Sequence, residues 1–168
     1  MEEQLAKAAV SLKRYLAQRA KNGLAHRFSV LETSTGGQIA QAFTSLTGSS
    51  EHFLDGRIIY DQEAQKQFLA VKEFEDSSVS QTRAQNLALA MQSQSGADWA
   101  LAETGMAGPP SIDRLSRKNG QCYLGLVKST DVRYKFLEFN PFLTRKEHQL
   151  MFAIEALAWV EKELQIKC

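Results

Sequence analysis

Two short segments of the 168-residue chain set hydroxyls beside glycines: Thr33-Ser34-Thr35-Gly36-Gly37 and Thr104-Gly105-Met106-Ala107-Gly108-Pro109. Hydroxyls can attack a carbonyl or hydrogen-bond a ligand, and glycines let the backbone turn tightly and approach it. The first segment lies between a strand candidate and a helix candidate, where a helix N-terminus would offer free N–H groups to an anion. Taken alone it reads as a plain turn with a helix cap ahead of a ligand site. No Gly-Lys-Ser/Thr follows, so it is not a P-loop. The second segment ends another strand candidate. Ligands of open α/β sheets gather at the carboxyl ends of strands, so the two loops either line one crevice or are two ordinary connections.

Other chemistry-bearing residues read more plainly. His26, His52 and His148 are scattered without ligand spacing and take surface or structural roles. Cys122 falls in a strand candidate as a small core residue, and Trp99 and Trp159 read as core or oligomer contacts. The basic run Arg114 to Lys118 reads as a solvated loop. Two cysteines, Cys122 and Cys168, make neither a disulfide framework nor a zinc cluster, and no cofactor or metal is expected.

The elements that must position these residues alternate between helix and strand. Leu5, Ala8, Ala9, Leu12 and Leu16 recur at helical spacing and predict a first helix ending near Asn22-Gly23. Arg27 to Leu31 predicts a strand, Gln38 to Leu46 a helix, and Phe53 to Tyr60 a second strand. Asp61 is placed to cap a helix through about Val71. Ser78 and Gln81 have capping-box spacing ahead of a helix with Ala84, Leu87, Ala88 and Met91 on one face. Trp99 to Ala102 is a buried-strand candidate, Pro110 to Asn119 a polar loop, and Gln121–Val127 with Val132–Phe139 a strand pair. Thr144 and Glu147 form a capping box that opens a last helix with the stripe Leu150, Ile154, Leu157, Ala158 and Leu164. The class is α/β with a largely buried sheet flanked by helices, in one compact domain over residues 1–168.

Composition bounds the partners. The chain is 43% hydrophobic, which suits a sizeable single core. Lys plus Arg total 20 and Asp plus Glu 19, and that balance argues against a dedicated nucleic-acid binder. The acidic start, Met1-Glu2-Glu3-Gln4, and the lack of a long apolar run argue against a secretory signal and a membrane span, so a cytoplasmic location is expected.

At this point the motifs carry a resemblance. Leu31-Glu32-Thr33-Ser34-Thr35-Gly36-Gly37 is similar to the Ala-Glu-Ser-Cys-Thr-Gly-Gly of the CinA C-terminal family, the bacterial nicotinamide-mononucleotide deamidases. Gly48-Ser49-Ser50 matches the family's Gly-Ser-Ser, and Tyr60-Asp61-Gln62-Glu63-Ala64-Gln65 aligns with its Tyr-Ser-Asn-Glu-Ala-Lys. Val79-Ser80-Gln81 corresponds to its Val-Ser-Glu, and Thr104 to Pro109 to its Thr-Gly-Ile-Ala-Gly-Pro. Lys118-Asn119-Gly120 stands for its Pro-Val-Gly. Six motifs in order and at near-constant spacing cover nearly the whole chain.

The resemblance implies a three-layer α/β/α fold, a nicotinamide-nucleotide ligand, homo-oligomers, and metal-free hydrolysis of a carboxamide to a carboxylate and ammonia. It implies catalytic positions at Thr33, Tyr60, Gln65 and Arg145, with Ser34 a candidate as the hydroxyl next to Thr33, and substrate-binding positions at Glu32, Thr35, Gly36, Gly37, Thr104, Gly105, Ala107 and Gly108. This chain departs from the family where its chemistry is concentrated. Thr33 replaces the nucleophilic serine, Gln65 the lysine, and Gln149 a second arginine that follows the one matched by Arg145. A carboxamide can act neither as base nor as cation, so activity is expected to be reduced or lost. Glu103, where the family is usually apolar, reads first as an exposed strand-end carboxylate and second as a replacement acid or base. The expectation is therefore a weakened deamidase. The alternatives are a catalytically silent domain that binds a nucleotide or a protein, and an amidohydrolase of another substrate.

Overall fold

The computed structural model describes residues 1–24, 26–108 and 119–165. Helix α1 spans Glu2–Lys21, because Leu5, Ala9, Leu12 and Leu16 make one buried stripe between exposed polar residues. Burying each of those leucines stabilises the fold by about 2 kcal/mol. The chain continues with β1 (Phe28–Glu32), α2 (Gln38–Thr44), a 3-10 turn (Ser49–Glu51) and β2 (Phe53–Ile58). Then come α3 (Gln62–Leu69), α4 (Gln81–Ser95), β3 (Trp99–Gly105), β4 (Gln121–Lys128), β5 (Asp131–Glu138) and α5 (Arg145–Gln165).

The five strands form one sheet in the order β2-β1-β3-β4-β5. β1 runs parallel to both β2 and β3, whereas β4 and β5 are antiparallel additions. Helices α1, α2 and α5 cover one face and α3 with α4 the other, giving the expected three layers. The central strand β1 is buried throughout, as parallel strands covered on both faces must be. Side chains alternate in direction along a strand. Phe28 and Val30 of β1 and Leu101 of β3 therefore join the larger core, and Leu31, Ala100 and Ala102 the smaller one. Glu32 and Glu103 fall on the larger-core face of neighbouring strands.

Local signals placed most helix ends. Asp61 caps α3, accepting from Glu63 N and Ala64 N. Thr144 and Glu147 bond reciprocally ahead of α5, where Thr144 N donates to Glu147 at 2.7 Å. Three details differ from expectation. The cap of α4 is Ser80, not Ser78: its hydroxyl accepts from Arg83 N and donates to Asp76. Tyr60 lies beyond β2. In α5, Ala158 is exposed while Phe152, Ala153, Ala156 and Val160 are buried, because the helix packs on α1 and α2 as well as on the sheet. Pro109, the 110–118 part of the expected loop, the basic run Arg114–Lys118 and Cys168 lie outside the described residues. Among the described residues, no helix is long and apolar enough to cross a membrane.

One buried side chain couples this fold to pH. His52 is 3% exposed, its Nδ1 has no hydrogen-bond partner among the described residues, and burial with the nearby Lys13 charge lowers its pKa below the usual 6.5, against an opposing pull from Glu51. The folded chain therefore binds that proton less tightly than the unfolded chain does. Its contribution to stability is intact above the unfolded value and lost as pH falls through the folded one. Urea midpoints taken between about pH 7.5 and 5.5 are expected to fall, and to fall less for His52→Gln. An equal acid loss in the variant would remove His52 from the account.

Candidate functional site

The strand order sets where a ligand can sit. From β1 the chain crosses to β2 on one side, and β3 then lies on the other side of β1. The crevice between the carboxyl ends of β1 and β3 is thus a topological switch point, where open α/β sheets bind ligands. A cavity of about 350 Å³ opens there. Its wall includes Thr33 and Ser34 after β1, Tyr60 to Glu63 and Gln65 around the start of α3, and Ser78 and Val79 before α4. Thr104 to Ala107 and Arg145 complete it. All five expected catalytic positions, Thr33, Ser34, Tyr60, Gln65 and Arg145, therefore share one cavity with Thr104, Gly105 and Ala107.

Glu32, Thr35, Gly36, Gly37 and Gly108 are not part of that wall. Gly36 and Gly37 adopt left-handed φ values of 64° and 99°, which folds the loop back over β1. Glu32 then accepts hydrogen bonds from Gly37 N, Ile39 N and Ala40 N at 2.9, 3.1 and 2.7 Å. The start of α2 is thereby capped by the chain's own carboxylate. This corrects the expectation of free N–H groups for a ligand anion. Burial, opposed by those donors and reinforced by the Glu103 charge, pushes the Glu32 pKa upward. Gly108 sits against the Arg145 guanidinium, where an added Cβ would lie 3.1 Å from its Nη1.

Glu103 is the largest departure from the sequence reading. It is fully buried rather than exposed at a strand end. Its Oε1 accepts from Thr33 N at 2.6 Å, Thr35 N at 2.8 Å and the Thr35 hydroxyl at 2.9 Å. Its Oε2 accepts from the Ser34 hydroxyl at 2.8 Å. These partners are donors, the complement a carboxylate requires. The Thr35 hydroxyl also lies 2.7 Å from Glu32 Oε2, so its single proton serves one carboxylate at a time. Cys122 packs beneath, and burial together with Glu103 raises its thiol pKa well above the usual range, which keeps it from acting as a nucleophile.

The opposite wall is held by a second polar cluster. Gln65 is 2% exposed; its Nε2 donates to the Ile59 carbonyl at 3.2 Å and its Oε1 accepts from Arg83 at 3.0 Å. Arg83 is itself buried, pairs with Asp76 at 2.9 Å and lies over the Phe74 ring. The sequence reading passed over Arg83. Its available signal was an arginine directly before Ala84 on the buried face of α4, with Asp76 and Ser80 just upstream. Gln149 is a strut, donating to the Ser34 carbonyl at 2.9 Å. At the mouth, Tyr60 is 63% exposed and its hydroxyl accepts from Arg145 at 2.9 Å, with the guanidinium 5.7 Å from the ring centre.

A mixed five-stranded sheet between helical layers, with a polar cavity at its switch point, defines a three-layer α/β domain. The chain belongs to the CinA C-terminal domain family, whose model matches residues 9–164. It is 34% identical over 139 residues to the CinA-like protein of Geotalea uraniireducens (strain Rf4), covering 81% of this chain and 32% of that protein. It is also 34% identical over 161 residues to that of Chlorobium phaeobacteroides, covering 90% of this chain and 36% of that one. The chain thus spans about a third of the length of these curated relatives. Among solved structures, the competence damage-inducible protein A of Klebsiella pneumoniae superposes with a TM-score of 0.86 at 21% identity, covering 98% of this chain and 99% of that one. The competence/damage inducible protein CihA of Agrobacterium tumefaciens superposes at 0.82 with 25% identity, covering 96% of this chain and 95% of that one.

Proposed function

We propose that this domain binds a nicotinamide nucleotide in the switch-point cavity and slowly hydrolyses its carboxamide to a carboxylate and ammonia. The observation that carries this reading is the convergence on one cavity of the residues at the family's catalytic positions, Thr33, Tyr60, Gln65 and Arg145, with the neighbouring Ser34. The volume falls within the usual range for small-ligand sites, about 300–1,000 Å³. At the mouth, Tyr60 offers a ring face to a heterocycle and Arg145 a fixed cation to a phosphate.

The rate is expected to be low because Gln65 holds no proton to exchange, and both ends of its carboxamide are engaged. A missing acid–base group commonly costs about 10²–10⁴-fold. Ammonia release from nicotinamide mononucleotide, with matching formation of nicotinate mononucleotide, tests the proposal. Turnover is expected, with a KM that Arg145→Ala raises about tenfold or more through the lost charged contact. Saturable binding without ammonia would instead make the domain a silent nucleotide-binding relative. Neither binding nor turnover would sink both.

A further inference from the structure

We infer that Ser34 is the nucleophile of this site and that Glu103 is its general base, in place of the Thr33 position that the family pattern designates. The inference deepens the proposed function and rests on it for the identity of the substrate, a carboxylic amide; the pairing itself rests on geometry. Of the hydroxyl-bearing residues that line the cavity, Ser34 alone among the described residues donates its hydroxyl to a carboxylate, at 2.8 Å. The Thr104 hydroxyl is spent on the Ser78 carbonyl, and Tyr60 accepts from Arg145. Thr33 reaches Glu103 only through its backbone N–H, so its hydroxyl has no base among the described residues.

Nucleophile, base and orienting groups are all in place. A weak nucleophile needs a base within hydrogen-bond reach, and that base needs a third group to aim it. Thr33 N and Thr35 N both hold Glu103 Oε1, which turns Oε2 toward Ser34. Gln149 fixes the Ser34 carbonyl from the other side. Gly105 completes the approach: a Cβ there would lie 2.9 Å from Ser34 Oγ. Any side chain at that position would crowd the hydroxyl.

The step balances without a cofactor. Ser34 Oγ bonds to the carboxamide carbon as its proton passes to Glu103 Oε2. The C–N bond then breaks, and that proton leaves with the nitrogen as ammonia. Water attacks the resulting ester and gives a proton to Glu103; the C–Oγ bond breaks and the proton returns to Ser34. Thr33 lines the same cavity, and its hydroxyl is assigned as a donor to the developing oxyanion.

Diisopropyl fluorophosphate, which needs a serine activated in this way and no knowledge of the substrate, provides the test. Intact-mass measurement and peptide mapping are expected to find one adduct, on Ser34, absent from Ser34→Ala. Glu103→Gln should slow labelling about 10²-fold or more. An adduct on Thr33, no adduct, or full-rate labelling of a folded Glu103→Gln overturns the inference. If Glu103→Gln does not fold, Glu103→Asp decides: it keeps the charge but withdraws the carboxylate from Ser34 by one methylene, so labelling should slow, and full-rate labelling overturns the pairing. Failures of the two proposals are distinguishable. Ser34 labelling without ammonia from the nucleotide rejects the substrate and keeps the pair; ammonia release that survives Ser34→Ala rejects the pair and keeps the substrate.

Discussion

Gly125→Ala is expected to cost about 3 kcal/mol or more, the upper end of what overpacking a core does. Gly125 lies in the middle of β4, between Ala102 of β3 and Tyr134 of β5, on the face crossed by α4. A Cβ there would meet the Ala84 carbonyl oxygen at 2.3 Å, its carbon at 2.6 Å and Gln85 N at 2.9 Å. These are backbone atoms, so no side-chain rotation relieves the overlap. The helix has to move, carrying the fully buried Leu87, Ala88 and Met91 out of the smaller core. It would also carry Arg83, which braces the cavity wall through Gln65. For a domain of this size the loss corresponds to about 6–12 °C in Tm. A Gly125→Ala protein with the wild-type urea midpoint would show that α4 does not bear on the sheet at this point.

What was legible in the sequence was local. The leucine stripe of α1, the Asp61 cap and the Thr144–Glu147 box each depend on partners within a turn or two, and each formed as read. Glu103 fails that test. Its donors come from Thr33, Ser34 and Thr35, about seventy positions away, and are brought over it only when β1 and β3 pair. A strand-end carboxylate followed by Thr-Gly looks exposed until that loop closes above it. Glu32 misled for the same reason. The Gly36-Gly37 turn promised an open helix start, and the carboxylate that fills it precedes the turn in sequence but reaches α2 only after the chain doubles back. The cavity itself depends on strand order, which no single segment encodes. The motifs nevertheless pointed to its wall, because Thr33, Tyr60, Gln65 and Arg145, chosen by resemblance, are neighbours in space together with the adjacent Ser34.

Returning lysine to position 65 is expected to destabilise this chain rather than simply repair it. Gln65 and Arg83 are 2% and 1% exposed, and the Gln65 carbonyl oxygen is 3.0 Å from an Arg83 nitrogen. Gln65→Lys removes that acceptor and sets an ammonium against the guanidinium, with Asp76 as the one acid bonded to Arg83 among the described residues. At an effective dielectric constant near 20, two such charges about 4 Å apart repel by about 4 kcal/mol, so a net cost of about 2–4 kcal/mol is expected at neutral pH. The introduced amine can relieve the repulsion by releasing its proton. Its folded pKa would then lie below its unfolded one, so the cost shrinks as pH rises through that window and is greatest below it. Arg83→Met should remove most of the penalty. Urea unfolding of Gln65→Lys, Arg83→Met and the double variant is expected to give a double variant more stable than additivity allows, by about 2 kcal/mol. Additivity within about 0.5 kcal/mol would mean that the new side chain escapes into the cavity and never meets Arg83. The coupling bears on the position matched to the family's lysine: here the nearby cation is Arg83, buried one side chain behind the wall, where it orders Gln65. Under the proposed reaction, proton transfer is then assigned to the opposite wall, where Glu103 accepts from the Ser34 hydroxyl.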